Sequence, residues 1–144
     1  MEHSQLSVIA IRLKPKTDIR QQLELIAKEQ NISAGVILGA VGSLSQTCLR
    51  FAGSDEHTTL EGKHEILTLS GMLSKAGVHL HMSVSDSNGR CVGGHVVDGC
   101  QVYTTLEVVI GLMPHITFQR EMDLTTKFPE LLITPHRDIF ADKP

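Results

Sequence analysis

The segment Gly77-Val-His79-Leu-His81-Met-Ser-Val84 sets two imidazoles two residues apart, and Gly93-Gly94-His95 adds a third. Side chains alternate along an extended strand. His79, His81, Ser83 and Ser85 then share one face, while Val78, Leu80, Met82 and Val84 share the other and belong to a core. Cα atoms two residues apart on a strand lie about 6.5–7 Å apart, close enough for both rings to reach one metal ion. Three nitrogen ligands with a fourth position open is the usual arrangement of catalytic zinc. The same rings can instead be satisfied by hydrogen bonds, or hold an anion.

Whether His95 joins the pair depends on the turn Asp86-Ser-Asn-Gly89. A two-residue loop at Asn88-Gly89 sets His95 opposite Met82, on the wrong face. A three-residue loop, Ser87-Asn88-Gly89 with Gly89 left-handed, sets it opposite His81. Gly93 and Gly94 remove side-chain bulk where something must approach closely.

Two further residue types bear on the same chemistry. Glu65 shares a strand face with Leu67, Leu69 and Leu73, and a carboxylate on an apolar face is costly unless paired. It is read as a fourth ligand, a general acid/base of raised pKa, a partner for Arg50, or a strand-end residue reaching solvent. Glu107, inside the apolar Thr104–Met113 run, raises the same question. Arg50 is a buried ion-pair partner, an anion-binding group or a solvated edge residue. His3, His57, His64, His115 and His136 lie near termini, loops or strand ends and are expected at the surface. No Gly-x-Ser-x-Gly elbow supports a serine triad, and no Gly-Lys-Ser/Thr follows the glycines of 35–42, so there is no phosphate loop.

The elements that carry these residues follow from periodicity. Leu6–Leu13 reads as a strand, closed by Pro15. Ile19, Leu23 and Ile26 recur at helical spacing, predicting a helix from about Asp18 to Gln30, with Thr17 as N-cap and Asn31 as stop. Gly35–Val41 reads as an apolar, strand-like run, interrupted by the mostly polar Gly42–Thr47, and Cys48–Phe51 follows as a strand. Gly53–Gly62 reads as a loop. Glu65–Leu73, Val78–Ser85, Cys91–Val97, Val102–Met113 and Ile116–Met122 read as strands. The Val102–Met113 strand is apolar on both faces, so it is central or lies at a subunit interface. From about Thr125 to Pro144 the chain is expected to be irregular. The fold class is α+β: one domain over residues 1–144, a mostly antiparallel sheet or open barrel of six to eight strands, and one main helix near the N-terminus.

Composition narrows the function classes. The chain has 144 residues with 41% hydrophobic and 20% charged, which fits one ordinary globular core rather than disorder. Thirteen Lys+Arg against sixteen Asp+Glu give a formal charge of −3, and no three basic residues are consecutive, which disfavours a free-standing nucleic-acid binder. Four Phe, one Tyr and no Trp supply few stacking platforms for single strands. No run approaches the ~18–20 apolar residues of a membrane span, and Met1–Leu13 does not read as a signal peptide. Cys48, Cys91 and Cys100 show no CxxC spacing, which suits three small buried hydrophobes in a reducing cytosol.

An ordered series of motifs resembles the PPC domain, named for plants and prokaryotes. It runs through Arg12-Leu13, Gly35-Val36, Val41-Gly42-Ser43, Leu49-Arg50 and Gly62-x-x-Glu65-Ile-Leu-x-Leu-Ser-Gly71. It continues with Gly77-x-His79-x-His81, Asp86–Gly89, Val92-Gly-Gly-His95, Gly99-Cys100-x-Val102 and Thr105-x-Glu107-Val108, so the match covers about residues 8–110. The resemblance implies a homotrimer and a regulatory or DNA-associated role. Plant members carry an Arg-Gly-Arg-Pro hook ahead of the domain, which this chain lacks. The fold is also similar to that of acetolactate decarboxylases, which hold zinc through a His-x-His and a later histidine. That likeness implies His79, His81 and His95 as zinc ligands, Glu65 as acid/base and Arg50 as carboxylate clamp. It makes a zinc-dependent enzyme or sensor for a small carboxylate or keto compound the alternative function.

Overall fold

The computed structural model describes residues 2–136. In chain order the elements are β1 (Ser7–Leu13), α1 (Ile19–Glu29), β2 (Gly35–Arg50), β3 (His57–Leu60), β4 (His64–Ser74), β5 (Gly77–Ser85), β6 (Cys91–Val96), β7 (Gln101–Leu112), β8 (Ile116–Met122) and β9 (Pro129–Pro135). The architecture is α+β, as expected. A seven-stranded antiparallel sheet runs β1-β7-β2-β4-β5-β6 with β3 beside β2, and β8-β9 forms a separate hairpin.

The helix forms because its apolar residues fall on one stripe and its ends are capped. Ile19, Leu23 and Ala27 are fully buried, an i, i+4, i+8 row. The N-cap is Asp18 rather than Thr17: its Oδ1 accepts from Gln21 N at 3.0 Å. Asp18 Oδ2 also accepts from Gly99 N at 2.6 Å, which ties the helix start to the β6–β7 connection. Asn31 ends it with φ +47°, a left-handed angle that Asn tolerates better than most residues.

β2 corrects the expectation of a break at Gly42–Thr47. It is one strand, and its irregularities are register shifts against β7 between Ile37 and Gly39, Gly42 and Leu44, and Leu44 and Gln46. Such bulges bend a strand and raise its twist without ending it. The first part of β2 pairs with β7 and β4, and its end pairs with β3 and β6. Since β6 also pairs with β5, and β5 with β4, strands β2, β4, β5 and β6 close on one another. Leu44, Leu49, Leu80, Val84, Val96 and Leu106 fill the interior and are fully or almost fully buried.

Three local expectations are also corrected. The presumed loop 53–62 contains β3. The irregular tail is a strand over Pro129–Pro135, paired from Met122↔Pro129 to Ile116↔Pro135, and residues 137–144 lie outside the described residues. Cys91 is exposed, whereas Cys48 and Cys100 are buried as expected. The β8–β9 hairpin is anchored by a second apolar cluster of Ala34, Ile116 and Phe118, and by Phe118 N donating to Ser33 O at 2.9 Å. β7 has a partner on both edges, β1 and β2, and its outward Val109 is 39% exposed. Among the described residues no helix is long and apolar enough to cross a membrane.

Candidate metal centre

The turn decides the register, and it is the three-residue form. Asp86 N donates to Arg90 O at 3.0 Å, and Gly89 N to Asp86 O at 3.0 Å. Gly89 takes φ +76°, which glycine adopts without strain. Asp86 Oδ1 accepts from the backbone N of Asn88 and Arg90, and these bonds hold its carboxyl below the usual range. His81 therefore pairs directly with His95. On its other edge His95 pairs with Arg50 of β2, so Arg50, His95 and His81 form one row across three strands.

Gly93 and Gly94 serve this row differently from what their sequence suggests. A Cβ on Gly93 would sit 2.9 Å from Met82 O, and one on Gly94 would sit 2.9 Å from Arg50 O. The bulk they omit would collide with the neighbouring strands, not with a ligand. They let β6 lie close between β5 and β2, which brings His95 to both.

The three rings converge. Their centroids lie 5.0 Å (His79–His81), 5.2 Å (His79–His95) and 5.5 Å (His81–His95) apart. One nitrogen from each lies within 4.8 Å of the others, a set that could hold a metal ion. His95 Nδ1 is buried without a hydrogen-bond partner, an unsatisfied state that is costly unless something else occupies the lone pair or takes the proton. Burial pushes the His95 ring down to about 4, and Arg50, His79 and His81 add to it. Burial also lowers His79, with His81 and Arg120 acting the same way and Glu130 opposing them. Imidazole binds metals as the neutral base, so a site that resists protonation favours ligation. The donor set of three imidazole nitrogens fits zinc or another borderline divalent ion.

A cavity of ≈ 620 Å³ opens beside His79 and His95. Arg50 lines it, donating among the described residues only to Ser54 O at 3.3 Å. Glu65 is not brought there. It is exposed and pairs with Ser85, at the far end of β5, four residues or about 13 Å along the strand from His81. A bulge between Ile66 and Thr68 turns its neighbours, so that Leu67 is exposed and Ile66 buried. Glu107 is likewise exposed, across from Arg12 and Val41. His64 corrects its surface expectation: it is 5% exposed and shares a hydrogen bond of 3.2 Å with buried Thr47. His3, His57, His115 and His136 are exposed as expected.

Sequence reasoning missed the rest of the lining. Arg20, Glu24 and Lys28 come from α1, Lys75 from the β4–β5 turn, and Arg120 and Glu130 from the β8–β9 hairpin. The i, i+4, i+8 spacing of the helical three was a readable sign of one polar face. Nothing local says that this face looks onto β5 and β6.

Comparison with known proteins agrees with this fold. The chain is 44% identical over 135 residues to the bifunctional protein GlmU of Synechococcus sp. strain JA-2-3B'a(2-13), covering 94% of this chain and 21% of that one. The chain thus spans about a fifth of that relative. A hypothetical protein from Salmonella cholerae-suis superposes with a TM-score of 0.92 at 38% identity, over 94% of this chain and 99% of that one. The metal-containing protein AF0104 from Archaeoglobus fulgidus has the same fold, with a TM-score of 0.78 at 24% identity over 92% and 99% of the two chains. The model of the Plants and Prokaryotes Conserved (PCC) domain matches residues 1–114, and the chain belongs to that family.

Proposed function

We propose that this PCC-domain chain is a homotrimer whose His79, His81 and His95 hold one divalent metal ion, zinc first among them, and act on a small carboxylate or keto compound. The observation that carries the reading is the convergence of three imidazole nitrogens within 4.8 Å. The orphaned His95 Nδ1 and the metal content of the Archaeoglobus relative support it. A metal bound there would polarise a carbonyl or activate water. The chain's own groups do the rest. Arg50, held in the row with His95, presents a cation to a substrate carboxylate. Burial, with the Arg50 charge acting the same way, disfavours protonation of His79 and His95. Arg120 and Glu130 of the β8–β9 hairpin form one wall of the cavity. Glu65, exposed and opposite Ser85, would need another chain or a conformational change to reach the rings.

The test is metal analysis of untreated purified protein beside a His81→Ala variant. One metal per chain in the wild type and background in the variant is expected. Background in both sinks the reading. Turnover of a keto acid separates an enzyme from a sensor, which binds and releases it unchanged.

Trimer formation is supported by the outer face of β1, β7 and β2. Val41 is 70% exposed, Val8 55% and Leu38 50%. Val109 lies between Ala10 and Gly39 on the same face. Exposed apolar surface of this kind, here beside the exposed Arg12 and Glu107, marks an interaction site. Light scattering is expected to give three chains per particle for the wild type, and fewer for Val41→Asp. Two buried free thiols, Cys48 and Cys100, suit the reducing cytosol.

DNA association is the second reading, carried by the resemblance to PPC domains of DNA-associated proteins. At −3 per chain a trimer carries about three times that charge, which opposes a phosphate backbone. A titration with AT-rich duplex decides it: absence of binding at low salt removes the direct role.

A further inference from the structure

The cavity beside the histidines has a charge unlike that of the chain. Five of the thirteen Lys and Arg residues line it, namely Arg20, Lys28, Arg50, Lys75 and Arg120, against only Glu24 and Glu130 of the sixteen acids. A protein of formal charge −3 thus concentrates a formal +3 around one recess.

Not all of these cations are engaged. Arg20 is held by Glu24 at 2.8 Å and Asp98 at 3.0 Å. Lys75 donates to Asn31 at 3.2 Å. Arg50 has one long bond to a backbone carbonyl. Lys28 and Arg120 have no side-chain partner among the described residues. Three separate elements, α1, β2 and β8, therefore each aim a free or nearly free cation at one volume. Like charges brought together repel, so the arrangement implies a compensating anion. The volume of ≈ 620 Å³ falls in the range of small-molecule pockets.

We propose that this cavity binds a small, multiply charged oxyanion, a phosphate ester or dicarboxylate, through Arg50, Arg120 and Lys28. The inference deepens the metal reading by naming the ligand class at that site. One acidic group lies at Arg50, next to His95, and the second reaches the cations of the helix and hairpin. A monocarboxylate would leave Lys28 and Arg120 uncompensated, which is why the charge count selects a multiply charged ligand.

The experiment is calorimetric titration of protein stripped on a chelating resin, with inorganic phosphate, succinate and acetate as probes. Phosphate and succinate are expected to bind saturably and at least about tenfold tighter than acetate. The tighter of the two identifies the ligand as phosphate ester or dicarboxylate. Arg120→Gln and Lys28→Gln are each expected to weaken binding about tenfold, as loss of a charge-assisted contact does. Arg90→Gln, in the exposed β5–β6 turn, is expected to bind as the wild type does. Acetate equalling the doubly charged ions, or both cavity variants binding unchanged, overturns the proposal. Since the protein is metal-free here, anion binding without metal in the native protein refutes only the metal reading. Metal without anion binding refutes only this one.

Discussion

Two imidazoles on one sheet, buried His64 and half-buried His95, have opposite situations. His64, at the start of β4, is 5% exposed and hydrogen-bonded to Thr47. His95, in β6, carries a buried Nδ1 with no partner, two other imidazoles beside it and a cation next in its row. Burial alone does not make a histidine functional. The Nδ1 of His64 is satisfied inside the protein by Thr47. His95 is half-buried, its pKa is lowered by burial and by Arg50, and its Nδ1 has no partner, which is the state a metal or substrate completes.

The largest separation between the two is expected on metal. Removing bound metal with a chelator should lower the melting temperature of wild-type and His64→Ala protein but leave that of His81→Ala unmoved. At a hundredfold excess of metal over its dissociation constant the linkage is about 2.7 kcal/mol. A chelator effect that persists in His81→Ala breaks the contrast. Next in size, His64→Ala should cost about 2 kcal/mol in urea unfolding through a cavity and an orphaned Thr47 hydroxyl, with metal content unchanged.

Acidification gives a smaller effect. His95 is held at about 4 in the folded chain against an ordinary value of 6.5. The unfolded chain therefore binds more protons between those values, and stability of the metal-free protein should fall as pH drops from about 6.5 toward 4. His95→Gln should flatten that slope in melting curves recorded across the window. The smallest expected effect is that of Glu65→Gln: an exposed residue distant from the rings should leave metal content within error of the wild type.

Legibility in the sequence tracked how local the cause was. The helix, most strands and the His-x-His face follow from periodicities inside a dozen residues. The His81–His95 register was narrowed to two alternatives, because both depended on one turn, and Gly89 settles it. β2 was split in sequence because Gly42–Thr47 lacks an apolar pattern, yet its backbone pairs on both sides with β7 and β4. His64 reads as a loop residue because Thr47, which its side chain bonds to, comes from another strand. The cationic lining was invisible for the same reason. Arg120 and Glu130 reach the rings only because Ile116 and Phe118 pin the hairpin against Ala34.

The double pairing of β6 has a kinetic consequence. Arg50 and His95 meet across a chain closure whose ends are far apart in sequence, and such contacts form late, after the local hairpins have repaid part of the entropy of ordering. The β5–β6 hairpin can bring His79, His81 and His95 together early. Only the seating of β6 on β2 adds Arg50. During refolding, the three-histidine cluster should therefore form before Arg50 joins it.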